Sequence, residues 1–551
     1  MIHGLVTTVA CILLQSAASL FLSGALCPED MDEETAERFC HLAAHPISIN
    51  RASKSRLVET GLFSAFQIAS LLEYRERSGD ILSFAELARL DGWNAEFADA
   101  LREYVDLSGC DIPGRSSSRK SFHGQATGRY GSNSYLTKAS MEWNDRWSLF
   151  ASSKKARPLN LSAARYGNGP LSKVVIGNYN ARFAQGLAVW SGMRMSGLAT
   201  VEALSRRESG VSASQSTSAA CNGVAAEFSW GPWTLSAGTN LEQEKEVLRL
   251  SALANLNYLW KQGQCGISAV AGAGTQVMSA NWKFRLGKAD FYGEAAWEFG
   301  SRAPAVIAGI RMDPKWKVAW GLTARYYSPA FRAKWSGAPG SFSKNSDEAG
   351  LAAVLRYLWL NIAVDAAYRP EKRILQAKSS VKFSPTIQAG IFTLSPTLKY
   401  AIRWKGGQIP DNSKTAALRN ELRAELKASS GPWQASLRGD CTLCRNFAWL
   451  ALAEAGFKNG ILNCFLHAEY FDVPGWDDRI YVYQRDVPGS FNVPARYGKG
   501  FSASITGGFI LGGGKPRFTH RLNIRAGAVL YRRETEKPST SEWRVQYAFN
   551  W

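Results

Sequence analysis

Two cysteines separated by two residues are the first candidates for chemistry in this sequence. Cys441 and Cys444 have the Cys-x-x-Cys spacing found in redox-active dithiols and in metal sites. A zinc site built on this spacing needs a second cysteine pair or nearby histidines, and no such group accompanies these residues. The pair also lies between two segments that alternate like β-strands. We therefore expect either a disulfide across a turn or two free thiols.

Histidines and a glycine-rich run are the next candidates. His41 and His45 are one helical turn apart, but no third ligand accompanies them, and we expect an exposed pair. Gly512-Gly-Gly-Lys515 resembles the end of a phosphate-binding loop. However, Phe509 occupies the position of the required glycine and Pro516 replaces the Ser or Thr, so a hairpin turn is predicted. The other histidines are His3, His123, His467 and His520.

No catalytic constellation emerges from the remaining polar residues. Asp478, Arg479 and Asp486 are expected to be charges of a loop or of a lumen. A Ser/His hydrolase assembled across strands would leave no linear motif, and it stays an alternative. The sequence predicts a protein that is not an enzyme and that has no cofactor and no metal.

The N-terminus predicts export. Residues 5–26 are apolar and uncharged, and Ser23-Gly-Ala25 supplies the small residues of a cleavage site, so residues 1–25 are predicted to be a signal peptide. The segment before them lacks Lys and Arg. Lipid attachment at Cys27 is an alternative, although Leu26 is large for a lipobox. An exported chain allows disulfides, and Cys40 and Cys110 bracket the N-terminal module as a candidate pair.

The charge of the chain is divided between two regions. Residues 26–111 contain eight Lys and Arg and 17 Asp and Glu, a net charge of −9, whereas residues 112–551 carry +28. Residues 112–120 are rich in Pro, Gly and Ser and predict a linker. An acidic module of residues 26–111 therefore precedes a basic body of residues 121–551.

Helical spacing dominates the acidic module. Ser53 is predicted to cap a helix that begins near Lys54, and Ser83-Phe-Ala-Glu86 has a capping-box pattern. Two short turns, 59–63 and 90–94, interrupt the helices. The module is therefore predicted to be all-α.

Residues 44–107 resemble the tandem helix-hairpin-helix domain of ComEA-type DNA-binding proteins. The resemblance rests on Pro46-Ile-Ser-Ile-Asn-Arg-Ala-Ser53, on the two turns, and on Tyr74-Arg-Glu-Arg-Ser-Gly79 followed by Phe84 and Leu87. It implies that the hairpin amides hold DNA phosphates without reading bases. Phe63 and Asn94 replace the second glycine of each hairpin, and the charge of −9 opposes DNA binding. The implied contact residues are Gly61, Leu62, Phe63, Gly92, Trp93 and Asn94.

The basic body alternates with period two. Val318, Trp320, Leu322 and Tyr326 continue an apolar face that begins at Trp316. After the first 26 residues no apolar run reaches 18 residues, which excludes a polytopic helical membrane protein. Alternating segments of this kind recur along the basic body, with aromatic residues at their ends. This pattern predicts a large antiparallel transmembrane β-barrel. Residues 418–427 also fit a helix, but their charged residues share one strand face, and a strand is predicted.

The C-terminus resembles the strand by which outer-membrane barrels are recognised for assembly. It alternates apolar and polar residues and ends in an aromatic residue. About 440 residues at roughly 18–22 per strand predict about 20–24 strands. The proposed assembly signal consists of Trp543, Val545, Tyr547, Phe549 and Trp551.

Three inner stretches are similar to a family of Bacteroidota outer-membrane proteins that join a helix-hairpin-helix domain to a large barrel. They are residues 177–190, 325–329 and 478–481 with 497–500. Asn178 and Ala184 depart from the usual Asp and Gly of that family. The resemblance implies an outer-membrane location with the helical module in the periplasm.

Three functions follow as hypotheses. The first is a channel or translocation component, suited to anionic solutes or polymers, with the helical module as plug or adaptor. The second is a DNA-binding or DNA-uptake component. The third is a structural partner of an envelope complex. The expected partners are outer-membrane lipids, the barrel-assembly machinery, an anionic polymer, and a periplasmic or envelope protein. The sequence leaves open whether the positive charge lines the lumen or the outer surface.

Overall fold

The computed structural model of the protein is mainly β, with about 60% of the residues in strands. A few short helices precede the strands. The structure describes residues 17–44, 46–107, 122–131, 134–143, 146–154, 159–167, 169–192, 197–214, 221–244, 247–312, 318–342, 345–407, 418–488, 490–511, 519–532 and 538–550.

Residues 17–107, without residue 45, form a unit of short helices that we name the helical segment. Its elements are α1 Ala17–Ser23, a 3-10 turn Pro28–Asp30, α2 Glu33–Ala44, β1 Ile47–Ser48, α3 Lys54–Glu59, α4 Ala65–Ser78, α5 Phe84–Leu87, α6 Ala95–Ala100 and β2 Val105–Asp106. β1 pairs in parallel with β2, which brings the residues just before α3 next to those that follow α6. Ser53 caps α3 and Ser83 caps α5, as predicted, because each hydroxyl accepts a backbone N–H of the first turn. None of the described helices has the length and apolar character needed to cross a bilayer.

The second part of the chain is a β-barrel. Its first half consists of β3 Phe122–Gly131, β4 Ser134–Trp143, β5 Trp147–Lys154, β6 Asn160–Tyr166, β7 Leu171–Arg182, α7 Val201–Leu204, β8 Gly210–Ala213, β9 Cys221–Trp230, β10 Trp233–Glu244, β11 Val247–Trp260, β12 Gly263–Gly272, β13 Thr275–Leu286, β14 Ala289–Glu298, β15 Ala303–Met312 and β16 Val318–Tyr327. Its second half consists of β17 Glu348–Tyr357, β18 Leu360–Arg369, β19 Ile374–Phe383, β20 Ile387–Ala389, β21 Phe392–Gly407, β22 Leu418–Ser430, β23 Trp433–Leu443, β24 Phe447–Lys458, β25 Leu462–Val473, β26 Ile480–Tyr481, β27 Ala495–Arg496, β28 Gly498–Leu511, β29 Thr519–Tyr531 and β30 Thr540–Asn550.

The wall of the barrel is a closed antiparallel sheet of 24 strands. The last strand, β30, pairs with β29 on one side and with the first strand, β3, on the other. The register between first and last strand runs from His123 opposite Asn550 to Gly131 opposite Glu542. The predicted barrel and its predicted strand number are therefore confirmed.

Side chains alternate between an apolar exterior and a polar interior. In β22, the Leu422 side chain is 45% exposed on the outside, whereas Arg419 is only 8% exposed. Residues 418–427 form a strand rather than a helix because this alternation separates apolar from charged side chains. In β16, Val318, Leu322 and Tyr326 are likewise exposed, while Thr323 and Arg325 are buried. A closed barrel with an apolar exterior is the architecture of an outer-membrane β-barrel.

The two ends of the barrel differ in their connections. At one end, strands are joined by two-residue turns, such as residues 231–232, 261–262 and 431–432. At the other end, three longer connections turn inward and bury their apolar side chains, among them Leu187, Phe331 and Val482. We name the described residues of these connections the inner loops: residues 183–192 with 197–209, 328–342 with 345–347, and 474–488 with 490–497.

Candidate functional site in the barrel lumen

The helical segment lies inside the barrel, since inward-facing side chains from strands around the wall contact it. The contacts begin at β4 and β7 and continue through β13, β17, β19 and β21 to β22 and β23. At this level, described side chains of the helical segment therefore occupy part of the lumen. The basic side chains that contact the helical segment are Lys138, Lys173, Arg182, Arg285, Arg356, Lys382, Lys399, Arg423 and Arg438.

Glu29 forms the most strongly paired of these contacts. Its Oε1 accepts from Arg438 Nη1 at 2.5 Å, and its Oε2 accepts from Arg423 Nη1 at 2.9 Å. The Tyr483 N–H of an inner loop donates to Oε1 at 3.1 Å. Both arginines also donate through Nε to Asp440, at 2.7 Å from Arg423 and 2.6 Å from Arg438. Two carboxylates thus neutralise two guanidinium groups. Removal of either carboxylate would leave a buried guanidinium charge uncompensated.

The environment of Glu29 favours its ionised form. Burial by itself would raise the pKa of Glu29, but the guanidinium groups of Arg423 and Arg438 outweigh burial and hold this pKa well below its usual range. The neighbouring Cys27 behaves differently. Burial raises the pKa of its thiol to about 12, so that Cys27 stays a thiol at neutral pH. Its Sγ donates to Asp30 at 2.8 Å and accepts from Lys399 Nζ at 3.0 Å.

Helix α2 presents a row of carboxylates to the wall between β4 and β7. Glu34 accepts from Arg182 Nη2 at 2.6 Å and from Asn180 Nδ2 at 2.7 Å. One turn further along, Glu37 pairs with Lys138. These contacts place the negative charge of the segment against the positive charge of the wall.

Helix α3 ends in a similar contact. Glu59 lies 3.1 Å from Lys173 Nζ and accepts from the Tyr166 hydroxyl at 2.9 Å. The Arg56 guanidinium lies 4.2 Å from the centre of the Tyr166 ring. Since Lys173 is fully buried, Glu59 supplies charge compensation that the wall alone provides only from Glu227, 3.9 Å away.

Helices α4 and α6 face the end with the short turns. Glu96 of α6 lies 3.4 Å from Arg356 Nη1, and Glu73 of α4 lies 3.6 Å from Lys261 Nζ. The Arg285 guanidinium lies 4.6 Å from the centre of the Phe66 ring. The helical segment therefore contacts the barrel both at an inner loop and near the short turns.

The apolar side chains of the implied hairpin residues pack inside the helical segment. Leu62, Phe63 and Trp93 are buried in the core of the helical segment, and the Phe63 and Trp93 rings lie 5.4 Å apart. Gly61 and Gly92 have left-handed φ angles of 61° and 82°. A Cβ at Gly92 would collide with the Phe66 ring, and one at Gly61 would come within 2.8 Å of Arg38 Nη1.

Asn94 has a different structural role from the glycine that occupies this position in the resembling family. Its φ is −145°, and its Oδ1 accepts from Phe97 N–H at 2.6 Å, which caps α6. The position therefore needs no left-handed conformation. Each hairpin carries a single glycine in the left-handed region, at its first glycine position.

The inner-loop motif of residues 177–190 folds around a carboxylate of the wall. Glu294 accepts from the N–H groups of Gln185 and Leu187 at 2.9 and 3.0 Å, and Oε1 accepts from Ala188 at 3.3 Å. Ala184 adopts a left-handed φ of 52°, which is the conformation that the usual glycine of the resembling family supplies without strain. The motif thus anchors an inner loop in the lumen.

The structure tests several expectations about single residues. His41 is half-buried and forms an ion pair with Glu142 of the wall at 3.2 Å, so the expected exposure of this histidine is wrong. Cys441 and Cys444 are both free thiols. Asp478 is fully buried and accepts from the Arg445 and Asn446 N–H groups of a turn.

Some predicted features lie outside the described residues. They are His45, Cys110, Trp551, the glycine-rich run 512–515, the linker 112–120, and residues 1–16 of the predicted signal peptide. Residues 17–25 of that peptide are described. Phe21 contacts Phe97 edge-on at 6.4 Å, and the Leu22 carbonyl accepts from Arg207 Nη1 at 2.6 Å.

The described residues of the proposed assembly signal lie on the outer surface of the closing strand. Trp543, Val545 and Tyr547 of β30 are exposed on the exterior, and the Phe549 ring contacts Phe122 of β3 at 5.9 Å between centres. These side chains follow the same seam at which the first and last strands meet.

The sequence did not single out the lumenal partners of the acidic module. Arg423 is one of the charged residues of 418–427 that share a strand face, and no feature of the sequence links it to Glu29. An arginine that faces a barrel interior requires a counter-charge, which is the signal that a search for complementary carboxylates would use.

Comparison with solved structures returns outer-membrane proteins. OccK10 (OpdN) of Pseudomonas aeruginosa is 12% identical, with 58% of this chain and 97% of that chain covered and a TM-score of 0.32. The translocation pore of the P pilus usher PapC is 9% identical, with 78% and 99% covered and a TM-score of 0.36. OccK2 (OpdF) of P. aeruginosa, solved with glucuronate, is 11% identical, with 78% and 97% covered and a TM-score of 0.32. No protein-family model and no curated protein matches the sequence.

Proposed function

We propose that the protein is an outer-membrane channel or translocation component whose own acidic helical segment plugs a basic lumen. The observation that supports this proposal is the pairing of Glu29 with Arg423 and Arg438, which joins the segment to the far side of the wall. Further pairs, from Glu34 to Arg182 and from Glu59 to Lys173, occur on the opposite strands. Charge pairs between the segment and the wall can break while the strands stay paired. The lumen can therefore open while the barrel remains folded.

The segment enters from the periplasm in this proposal. Short turns are characteristic of the periplasmic end of bacterial barrels, and long loops of the extracellular end. β3 begins and β30 ends at the short-turn end, since Phe122 and Asn550 both lie there. In this proposal, the first strand of the barrel therefore begins, and the last strand ends, at the periplasmic end. The inner loops close the lumen from the opposite side.

An anionic cargo follows from the charge of the wall. When the helical segment is withdrawn, the side chains of Arg182, Arg423 and Arg438 lose the carboxylates of Glu29 and Glu34. Positive side chains then face a confined lumen, where screening by salt is weaker than on an open surface. We propose anionic solutes or polymers as the class of cargo. The apolar exterior contacts membrane lipids.

Planar-bilayer recordings test the proposal. Deletion of residues 26–111 should increase single-channel conductance and shift the selectivity toward anions, because the plug and its carboxylates are removed. Glu76→Gln is a control, since Glu76 is exposed in the described structure and its substitution removes one negative charge. Equal conductance and equal selectivity with and without residues 26–111 would contradict a plug. That result would favour an adaptor role of the segment for a separate envelope partner.

A DNA-handling role has less support. The hairpin residues Leu62, Phe63 and Trp93 are buried, and the segment that carries them is acidic. Backbone contacts to phosphates depend on nearby positive charge. DNA binding would require the segment to leave the lumen and to rearrange its core.

A further inference from the structure

A cavity of about 100 Å³ lies between the helical segment and the inner loop of residues 183–192 with 197–209. The segment contributes Asp32, Arg38 and Gly61 to its lining. The barrel contributes three arginines and one carboxylate: Arg182, Arg206, Arg207 and Glu202. Four guanidinium groups thus surround a cavity that has two carboxylates in its wall.

Both carboxylates of the cavity wall already have partners. Asp32 accepts from the N–H and the hydroxyl of Thr35, each at 2.8 Å, which caps the first turn of α2. Glu202 lies 3.6 Å from Arg356 Nη2, a residue outside the cavity lining. Glu34, next to the cavity, is paired with Arg182. Four guanidinium groups and three carboxylates in or next to the cavity leave an excess of positive charge.

Arg38 is the least satisfied of the four arginines. Its Nε is buried and has no hydrogen-bond partner among the described residues. Burial, followed by repulsion from Arg182, lowers the pKa of Arg38 below its usual value. Burial, followed by repulsion from Arg311, lowers the pKa of Arg207 to about 10. Clustered guanidinium groups of this kind are stabilised by a bound anion.

We propose that this cavity binds a tetrahedral oxyanion, a phosphate or sulfate group, between Arg38 of the helical segment and Arg182, Arg206 and Arg207 of the barrel. Guanidinium groups match such oxyanions because they donate two parallel hydrogen bonds to two oxygens. The hairpin amide does not supply this site, since the Gly61 N–H donates to the Val58 carbonyl at 3.0 Å. The site goes beyond the channel proposal, because its binding is independent of conductance.

The predicted signal peptide bears on the form of the site. Leu22 and Ser23 line the cavity, and the Leu22 carbonyl accepts from Arg207. Cleavage after Ala25 would remove both residues and widen the cavity. It would also remove the Leu22 carbonyl that accepts from Arg207 Nη1. The mature, exported chain is therefore the form in which to measure binding.

The two halves of the site belong to different parts of the molecule. Arg38 is on α2, whereas Arg182 ends β7 and Arg207 lies in an inner loop. A bound oxyanion would bridge the helical segment to the barrel. Ligand binding to the docked form alone stabilises that form by mass action. The anion would therefore strengthen retention of the segment in the lumen.

Calorimetric titration of the purified mature chain, residues 26–551, in detergent tests the site with inorganic phosphate, sulfate and acetate at constant ionic strength. We expect saturable binding of phosphate and sulfate, with acetate weaker. Arg38→Gln should weaken phosphate binding about tenfold or more, as expected for loss of one charged hydrogen-bond donor. Arg38→Lys keeps the charge but lacks the planar guanidinium group. Its phosphate affinity should therefore lie between those of wild type and Arg38→Gln.

Arg89→Gln is the matched control, because Arg89 lies on the same segment, is exposed, and undergoes the same change of charge. Heat-modifiable mobility of each variant verifies that the barrel is folded. Absence of saturable phosphate binding by the folded chain would overturn the proposal. Equal binding of phosphate and acetate, or equal loss in Arg38→Gln and Arg89→Gln, would also overturn it. Failure of the channel proposal would appear instead in the bilayer recordings.

Discussion

Glu29 accepts a hydrogen bond from Arg438 Nη1 at 2.5 Å, although 409 positions separate the two residues in the chain. The contact joins the start of the acidic module to β23, in the second half of the barrel. Arg438 donates at the same time to Asp440 at 2.6 Å. This relationship connects the charge asymmetry of the sequence with the filling of the lumen.

Neutralisation of Glu29 should loosen the plug. Glu29→Gln leaves Arg423 and Arg438 with one carboxylate, Asp440, and breaking a buried pair in this way costs about 3–5 kcal/mol. We expect a higher conductance and a higher frequency of channel opening in planar bilayers. Glu76→Gln, the exposed control, should behave like wild type. A Glu29→Gln channel that stays closed would contradict the role of this pair.

Acid should weaken the Glu29 contact. The pKa of Glu29 in the docked state is held well below its usual value of 4.5, so the stabilisation is present above pH 4.5 and is lost as the pH falls toward the docked-state pKa. Glu34 and Glu37 act in the opposite direction, because burial raises their pKa. The difference between wild type and Glu29→Gln therefore isolates Glu29. Conductance of the two should converge below pH 4.5, and a constant difference across the pH range would disagree with this assignment.

Ala184→Gly should stabilise the folded protein. The left-handed backbone at Ala184 costs a residue with a Cβ about 1 kcal/mol, a cost that glycine avoids. Ala188 is equally buried in the same inner loop but is not among the residues with positive φ. Ala188→Gly should therefore lower the stability. Thermal unfolding in detergent measures both, and an unchanged or lower transition temperature of Ala184→Gly would refute the strain argument.

Removal of the end of β30 should impair assembly. Deletion of residues 549–551 takes away the Phe549 contact with Phe122 and the last pairs with β3. We expect the heat-modifiable, assembled fraction in the outer membrane to fall several-fold. Tyr547→Ala, which keeps the complete backbone pairing, should have a smaller effect. Normal assembly of the truncated chain would show that the last residues of β30 are not needed for assembly.

The helical segment should bind duplex DNA weakly or not at all at physiological salt. Its hairpin side chains Leu62, Phe63 and Trp93 are buried and the segment is acidic, so its own electrostatic contribution to phosphate binding is unfavourable. Fluorescence anisotropy with labelled duplex measures the affinity. Salt-sensitive binding in the sub-micromolar range would restore the DNA hypothesis. Substitution of Phe63 by glycine is a poor test, because it removes a core ring that packs on Trp93.

The sequence by itself determined the barrel. The alternation in residues 318–326 and 418–427 requires one apolar and one polar face, and only a closed sheet satisfies every backbone group in a membrane. The helix caps at Ser53 and Ser83 were also predictable, since capping depends on residues a few positions apart. These features are local, or they repeat with a fixed period.

The tertiary structure decided which charges meet. The values of −9 and +28 indicated attraction between two regions, but not that Glu29 would lie between Arg423 and Arg438 or that Arg38 would join Arg182 and Arg207 around a cavity. Such contacts depend on the closure of 24 strands, which brings residues hundreds of positions apart to one level of the lumen. Net charge sets only the sign of a long-range attraction, whereas the pairing of buried charges depends on ångström-scale positions that the closed barrel fixes.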